Sequence, residues 1–378
     1  MTTMSVSGER VIRELDVGFM PLIDAAPLIA AVRLGMDRKH GLRLRLHRQA
    51  SWASIRDRLL SGELDAVQAM APLVYGVQTG IGGSQANLAI LLGLNQNGQA
   101  ITLSPPLAAR HAAGEPLAAL LRALSRRPVF AQTFPTSTHA LWLYYWLAAQ
   151  GVEPMRDVDI LTLPPPSMPQ ALADGELDGF CAGEPWGTHA EAIGAGQRVI
   201  RSGGIWAGHP EKVLACRRDF AALHPHTAVA LTAAVLEACR WLDEPRNRRE
   251  AVAWLAAPEA IGLPPHRIEA CLVPNEEVAT DGRLRFHAGG EANFPWLSDG
   301  RGFLRQFRRW GWLPEPTSAA SDAWLADVHR IDTYRQAACM LGIALPETDS
   351  RRSVLFDGHD WAPVLPVTGE EECRTAPS

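Results

Sequence analysis

The sequence predicts an α/β protein of two lobes built on similar plans, followed by helices, and three observations point there. Strand-like and helix-like patterns alternate through the first half of the chain. A short segment recurs, GELDAVQAMAP at 62–72 and GELDGFCAGEP at 175–185. The chain has 378 residues, more than one ordinary hydrophobic core supports, so two domains and a tail are expected.

The elements follow in order. Apolar runs place strands at Glu14–Gly18, Leu42–His47, Asp65–Met70 and Asn87–Leu92, with helices at Ala26–Gly35 and Ser51–Ser61 between them. A second set follows Pro105-Pro106. Its strands are Val129–Gln132, Val158–Leu163, Leu177–Cys181 and Gln197–Arg201, and its helices Leu117–Leu124, Thr138–Ala149, Met168–Asp174 and Glu184–Ala195. Each GELD segment follows a helix, turns apolar after its Asp and closes on a Pro at the same offset. Ligands of open α/β sheets bind beyond the carboxyl ends of strands. Two lobes on one plan would bring Pro72 and Gly183-Glu184-Pro185 to a shared cleft; chance in an Ala/Gly/Leu-rich chain is the alternative. Beyond about Cys216 the pattern is helical, over Thr227–Leu242 and Arg249–Ala256. Residues 289–378 are richer in Trp, Pro and polar side chains, read as irregular helices covering one lobe or as a docking surface.

Composition is that of a globular protein, 47% hydrophobic and 20% charged, with net charge −5. That balance argues against a nucleic-acid-binding surface and against strong attraction to anionic lipid. The N-terminal residues show no apolar signal region and no Cys that could carry a lipid, and no run approaches the roughly 18 apolar residues of a membrane span. The expectation is a cytoplasmic protein. Cys181, Cys216, Cys239, Cys271, Cys339 and Cys373 form no C-x-x-C pair and read as free thiols. No phosphate-binding loop, H-E-x-x-H or G-x-S-x-G is present, the GIGGS stretch at 80–84 lacks the third Gly of a dinucleotide fingerprint, and the 12 His do not cluster at ligand spacing. A binder is expected, not an enzyme, with no cofactor and no metal. Of 36 Lys and Arg, only Lys39 and Lys212 are lysine. A lysine kept against such a bias suits a place where a compact point charge fits and a planar fork does not; Lys39 reads as a solvated surface residue.

Six blocks then carry a resemblance: GFMPLIDAAPLIAA (18–31), RQASWASIRDRLLSGELDA (48–66), LNQNGQAITLS (94–104), THALWLYYWLAAQG (138–151), DGFCAGEPW (178–186) and GHPEKVL (208–214). Together they resemble the nitrate-binding proteins of the ABC-transporter type, the NrtA-like family of cyanobacterial nitrate- and bicarbonate-binding lipoproteins. The resemblance implies a periplasmic-binding-protein-like (type II) clamp with additional C-terminal helices. Lobe I is expected at 12–104 and 212–290, lobe II at 105–211, and an extension at 291–378 packed on lobe I. It also implies an anion site of Trp52, Gln99, His139, Gly183 and Lys212, with Trp52 and Gln99 on one lobe and His139 and Gly183 on the other. The bicarbonate-binding relatives are acidic at the position of Lys212 and use calcium, so lysine points to nitrate or nitrite without metal.

These residue types suit a planar, weakly hydrated monovalent anion. Trp52 offers its N–H edge, Gln99 amide donors, His139 a ring N–H or imidazolium, Gly183 an unobstructed backbone N–H, and Lys212 the formal charge. Each also has a plain alternative. Trp52 could be core, Gln99 a solvated turn residue, His139 a surface or capping residue, Gly183 a relief of packing before Pro185, and Lys212 an exposed edge-strand lysine. Glu184 beside an anion is repulsive and is expected to face away, pair with a cation or cap its helix. Without an export signal the chain is similar to the soluble NasS-type sensors. Their partner is a NasT-like, ANTAR-type RNA-binding antiterminator, restrained until nitrate or nitrite arrives, and the sensor itself contacts neither nucleic acid nor membrane. A transporter receptor is one alternative. Another is an enzyme on the same clamp, like the thiamine pyrimidine-precursor synthases, whose CCCFC-type motif is missing here.

Overall fold

The structure, a computed structural model, describes residues 12–273, 283–315 and 323–362. In chain order the strands are β1 (Arg13–Phe19), β2 (Leu42–Arg48), β3 (Ala66–Met70), β4 (Leu88–Gly93), β5 (Gln99–Leu103), β6 (Val129–Gln132), β7 (Asp159–Thr162), β8 (Gly179–Gly183), β9 (Gln197–Arg201) and β10 (Lys212–Arg217). They form two five-stranded sheets, ordered β2-β1-β3-β10-β4 and β7-β6-β8-β5-β9. β1 runs parallel to β2 and β3 while β10 runs antiparallel to β3 and β4. In the second sheet β6 is parallel to β7 and β8, and β5 is antiparallel to β8 and β9. The sheets share one plan, each with a single antiparallel strand, β10 or β5, that the chain enters directly on crossing between the lobes, which gives the two-lobed type II clamp.

The recurring tetrapeptide does the same work twice. Gly62 and Gly175 turn the chain after helices Trp52–Ser61 and Met168–Ala173 with φ of 84° and 74°, a conformation open to glycine. Leu64 and Leu177 are buried. The Asp carboxylate then accepts the backbone N–H of the neighbouring parallel strand: Asp65 from Asp16 at 2.9 Å and Asp178 from Val129 at 2.7 Å. β3 and β8 are thereby aligned in the middle of their sheets, and both end at the cleft.

Two expectations about domain limits change. Gln99–Leu103 is strand β5 of the second sheet, so the chain leaves lobe I within 94–98, before Gln99 and not after Ser104. It returns through 202–211, and the two passages are tied by backbone bonds Leu94 N–H to Lys212 O (2.7 Å), Glu211 N–H to Asn95 O (3.1 Å) and Asn97 N–H to His209 O (3.2 Å). The described part of the extension also packs on more than lobe I. Arg330 N–H bonds Ile90 O of β4 (2.9 Å), and Tyr75 Oη meets His329 Nε2 at 2.8 Å. On the other side Tyr145 Oη donates to Asp357 Oδ2 (2.7 Å), and Phe356 N–H bonds Ile205 O in the return passage (2.9 Å). Trp361 fills the seam, its ring centroid 4.5 Å from that of Trp206 and 5.5 Å from that of Trp142. The segment therefore straddles both lobes and the hinge.

Candidate ligand-binding site

The shared plan positions the five expected residues. Lys212 opens β10 opposite Met70, the last residue but for its helix of the β3 segment, and Gln99 opens β5 opposite Gly183, the last residue of β8. Equivalent positions in the two sheets thus face the cleft at the carboxyl ends of the parallel strands. Trp52 begins helix Trp52–Ser61, capped by the Ser51 hydroxyl accepting from Ser54 N–H at 3.1 Å. His139 is the second residue of helix Thr138–Ala149, capped likewise by Ser137 from Ala140 N–H at 2.9 Å.

The five side chains or backbone positions come together and are buried. Lys212 Nζ lies 5.4 Å from the centroid of the Trp52 ring, within cation–π reach. It sits 3.1 Å from Asp24 Oδ2 and also pairs with Glu211 Oε1. Across the cleft, His139 Nε2 is 3.9 Å from Glu211 Oε1. A Cβ on Gly183 would stand 3.6 Å from both His139 Nε2 and Asp24 Oδ2. Gln99 Nε2 donates to Thr138 Oγ1 (2.7 Å), whose hydroxyl donates to Glu211 Oε1 (3.1 Å). One correction concerns sides. Gln99 belongs to lobe II with His139 and Gly183, so lobe I contributes Trp52 and Lys212.

Several polar atoms remain unused. Trp52 Nε1 and His139 Nε2 are buried without a hydrogen-bond partner, as are Glu211 Oε2 and His209 Nε2. His139 Nδ1 lies 2.7 Å from the Thr133 hydroxyl; with that hydroxyl donating, the ring proton resides on Nε2. Glu184 N–H bonds Gly98 O (2.8 Å), which makes Gln99–Gly183 a non-hydrogen-bonded pair and turns the Gly183 N–H away from β5. The ring face of Trp52 is taken by the ammonium, so its N–H edge is what an anion can use. Glu184 is engaged, paired with Arg198 at 2.6 Å and accepting from Thr188 N–H at 3.0 Å within its own lobe and from Cys271 Sγ at 3.8 Å across from it.

Electrostatics in the cleft reflect burial. Loss of water pushes the Asp24 carboxyl up to about 6, opposed by Lys212 and reinforced by Glu211. Burial opposes the charge on Lys212, yet Asp24 and Glu211 together hold its ammonium above the ordinary value. Burial, with Lys212 and His209 adding, lowers His139 well below the usual imidazole range. His139 is therefore neutral in the free site, which selects the ring N–H over the imidazolium among the two forms the sequence left open.

Asp24 and Glu211 were not singled out by sequence reasoning, although both stand inside the quoted blocks PLIDAAP and GHPEKVL. Their one local signal is the scarcity of lysine beside Glu211. Thr138, the relay between Gln99 and Glu211, gave none. Among the described residues no group of three or more His, Cys, Asp or Glu is placed to hold a metal ion, and no helix is long and apolar enough to cross a membrane.

This geometry has relatives. Residues 10–256 match the model of the NMT1-like family. The nitrate/nitrite binding protein NrtA of Synechococcus elongatus is 34% identical over 378 aligned residues, covering 94% of this chain and 85% of that protein. The nitrate import ATP-binding protein NrtC of Synechocystis is 33% identical, and there the chain spans only 54% of the relative's length. The crystal structure of the periplasmic nitrate-binding protein NrtA from Synechocystis superposes with a TM-score of 0.86 at 31% identity, covering 93% of this chain and 96% of that one. The relatives of similar length are named as binding proteins. By the extent of these matches the chain is a binding protein with the type II periplasmic-binding-protein fold and belongs to the NMT1-like, NrtA-like family.

Proposed function

We propose that this protein is a cytoplasmic nitrate- or nitrite-binding sensor of the NasS type, which controls a NasT-like, ANTAR-type antiterminator through closure of its lobes on the anion. The observation that carries the ligand is the set of unused buried donors, Trp52 Nε1 on lobe I and His139 Nε2 on lobe II, gathered about the Lys212 ammonium. A flat monovalent anion with charge on three oxygens, or on two, takes such donors without a hydrogen of its own. The NrtA relatives, named for nitrate and nitrite, support that choice. A guest bridging the lobes stabilises closure by its higher affinity for the closed form.

The sensor role is supported by the extension. Residues 323–362 touch β4 of lobe I, helix Thr138–Ala149 of lobe II and the return passage, so a change in lobe angle alters that composite surface. The test is co-purification of the full chain with an RNA-binding antiterminator. A complex that dissociates on adding sodium nitrate or nitrite supports the reading; recovery alone, or a complex indifferent to both anions, rejects the sensor role. A receptor for an ABC transporter is the second reading, favoured by 94% coverage against NrtA. Cell fractionation separates the two, since the receptor is found outside the cytoplasm.

A further inference from the structure

The cleft carries more negative charge than an anion receptor needs. Its titratable groups are Asp24 after β1, Glu211 and Lys212 at the head of β10, His139 from helix Thr138–Ala149, His209 from the return passage and Cys181 from β8. The remaining polar neighbours, Gln68, Gln99 and Thr138, are neutral. With both carboxylates ionised and both imidazoles neutral, the cluster is one negative charge in excess before a guest arrives. A second buried negative charge is costly unless something neutralises it. Nitrate and nitrite also have no hydrogen, so an ionised carboxylate oxygen cannot bond to them, whereas a protonated one can donate.

We propose that the cleft takes up one proton from solvent with each nitrate or nitrite it binds, and that the Asp24–Glu211 pair carries it. This rests on the reading of the guest as a nitrogen oxyanion. Glu211 Oε2 is buried without a hydrogen-bond partner, His209 Nδ1 standing 3.7 Å away, so a proton placed there breaks none of the pair's bonds to Lys212, Thr138 or Gln68. Burial has already moved Asp24 up to about 6, and an added anion moves it in the same direction.

The test is calorimetric titration of the full chain with sodium nitrate, in pairs of buffers of unlike ionisation enthalpy, from about pH 6 to about pH 8.5, a range in which an acid of raised pKa loses its proton. Expected is uptake of about one proton per nitrate at the upper end, with affinity falling about tenfold per pH unit there. Glu211→Gln and Asp24→Asn each remove the excess charge, so each should flatten the pH profile and take uptake towards zero. Nitrate binding with constant affinity and no uptake overturns the proposal. So does full uptake retained in both variants, which places the proton on His139. The wild-type proton count decides whether uptake occurs even where a variant fails to fold. Absence of any binding of nitrate or nitrite across the range is a different result, and it removes the proposed ligand itself.

Discussion

Lys212 Nζ stands 3.1 Å from Asp24 Oδ2 with both side chains buried, so the ammonium proposed to attract the guest also holds a carboxylate inside the fold. Recognition and stability therefore run through the same atom, and substitutions at the site have to be read on both scales.

Lys212→Ala should weaken nitrate binding by about 1.5–3 kcal/mol, the range of a hydrogen bond to a charged group. It also leaves Asp24 and Glu211 buried without their cation, which should cost about 3–5 kcal/mol of stability. Titration calorimetry and urea denaturation separate the two. Unchanged affinity in a folded variant contradicts the assigned role.

Asp24 gives a pH dependence with a defined sign. Its folded value of about 6 lies above the ordinary 3.8, so between those values the folded chain holds more protons on this group than the unfolded chain. Its contribution then falls as pH rises through that window, by about 3 kcal/mol in all. Asp24→Asn should remove that component. The difference between wild-type and variant unfolding free energies, followed from about pH 4 to about pH 7, should slope in this direction; a flat or opposite difference refutes it.

Gly183→Ala probes the floor of the site. The new methyl meets Leu22 Cδ2 at 3.5 Å and Asp24 Oδ2 and His139 Nε2 at 3.6 Å, ordinary contacts that the fold tolerates. It occupies the space the anion needs and crowds the Nε2 donor. Melting should shift by less than about 1 kcal/mol while nitrate affinity drops about tenfold or more, the equivalent of one lost bond of about 1.4 kcal/mol. Equal affinity for the two proteins would move the site elsewhere.

Trp361→Ala tests the strap across the lobes. The indole is 1% exposed and packs on Trp142, Trp206 and Phe303, and a Cβ on Gly302 would fall 1.9 Å from its Nε1. Its removal should cost about 3–5 kcal/mol by chemical denaturation. A loss under about 1 kcal/mol means that the seam collapses easily and the extension does not brace the clamp.

What could be read beforehand follows from periodicity and punctuation. Helix Thr138–Ala149 was legible to the residue because Ser137 caps it and Gly151, with φ of 75°, lies just past its end. β6 and β9 were bounded with equal accuracy. β5 was missed because all five of its residues are buried, which leaves no alternation to read. Asn97-Gly98 just before it does turn, with φ of 61° and 100°, but the second set of elements was counted only from Pro105-Pro106, which left Gln99 in the wrong lobe. β10 hid for the same reason, buried over its first five residues. The five site residues came from the resemblance more than from local pattern. The acids beside Lys212 were illegible because a sequence shows charges and not which of them share a cleft. Gly289 and Gly290 were read as the start of the tail, and the straddling of both lobes depends on contacts far apart along the chain, such as Tyr145 with Asp357 (|i−j| = 212).

The central claim is that donors on facing lobes hold a flat monovalent anion at Lys212. Thermal unfolding of the full chain with saturating nitrate, nitrite, bicarbonate or sulfate tests it most directly. At about 100 times its dissociation constant, nitrate or nitrite should add about 2.7 kcal/mol of stability, and Lys212→Ala should abolish most of that gain. No stabilisation by either nitrogen oxyanion, or an equal gain in the variant, contradicts the account.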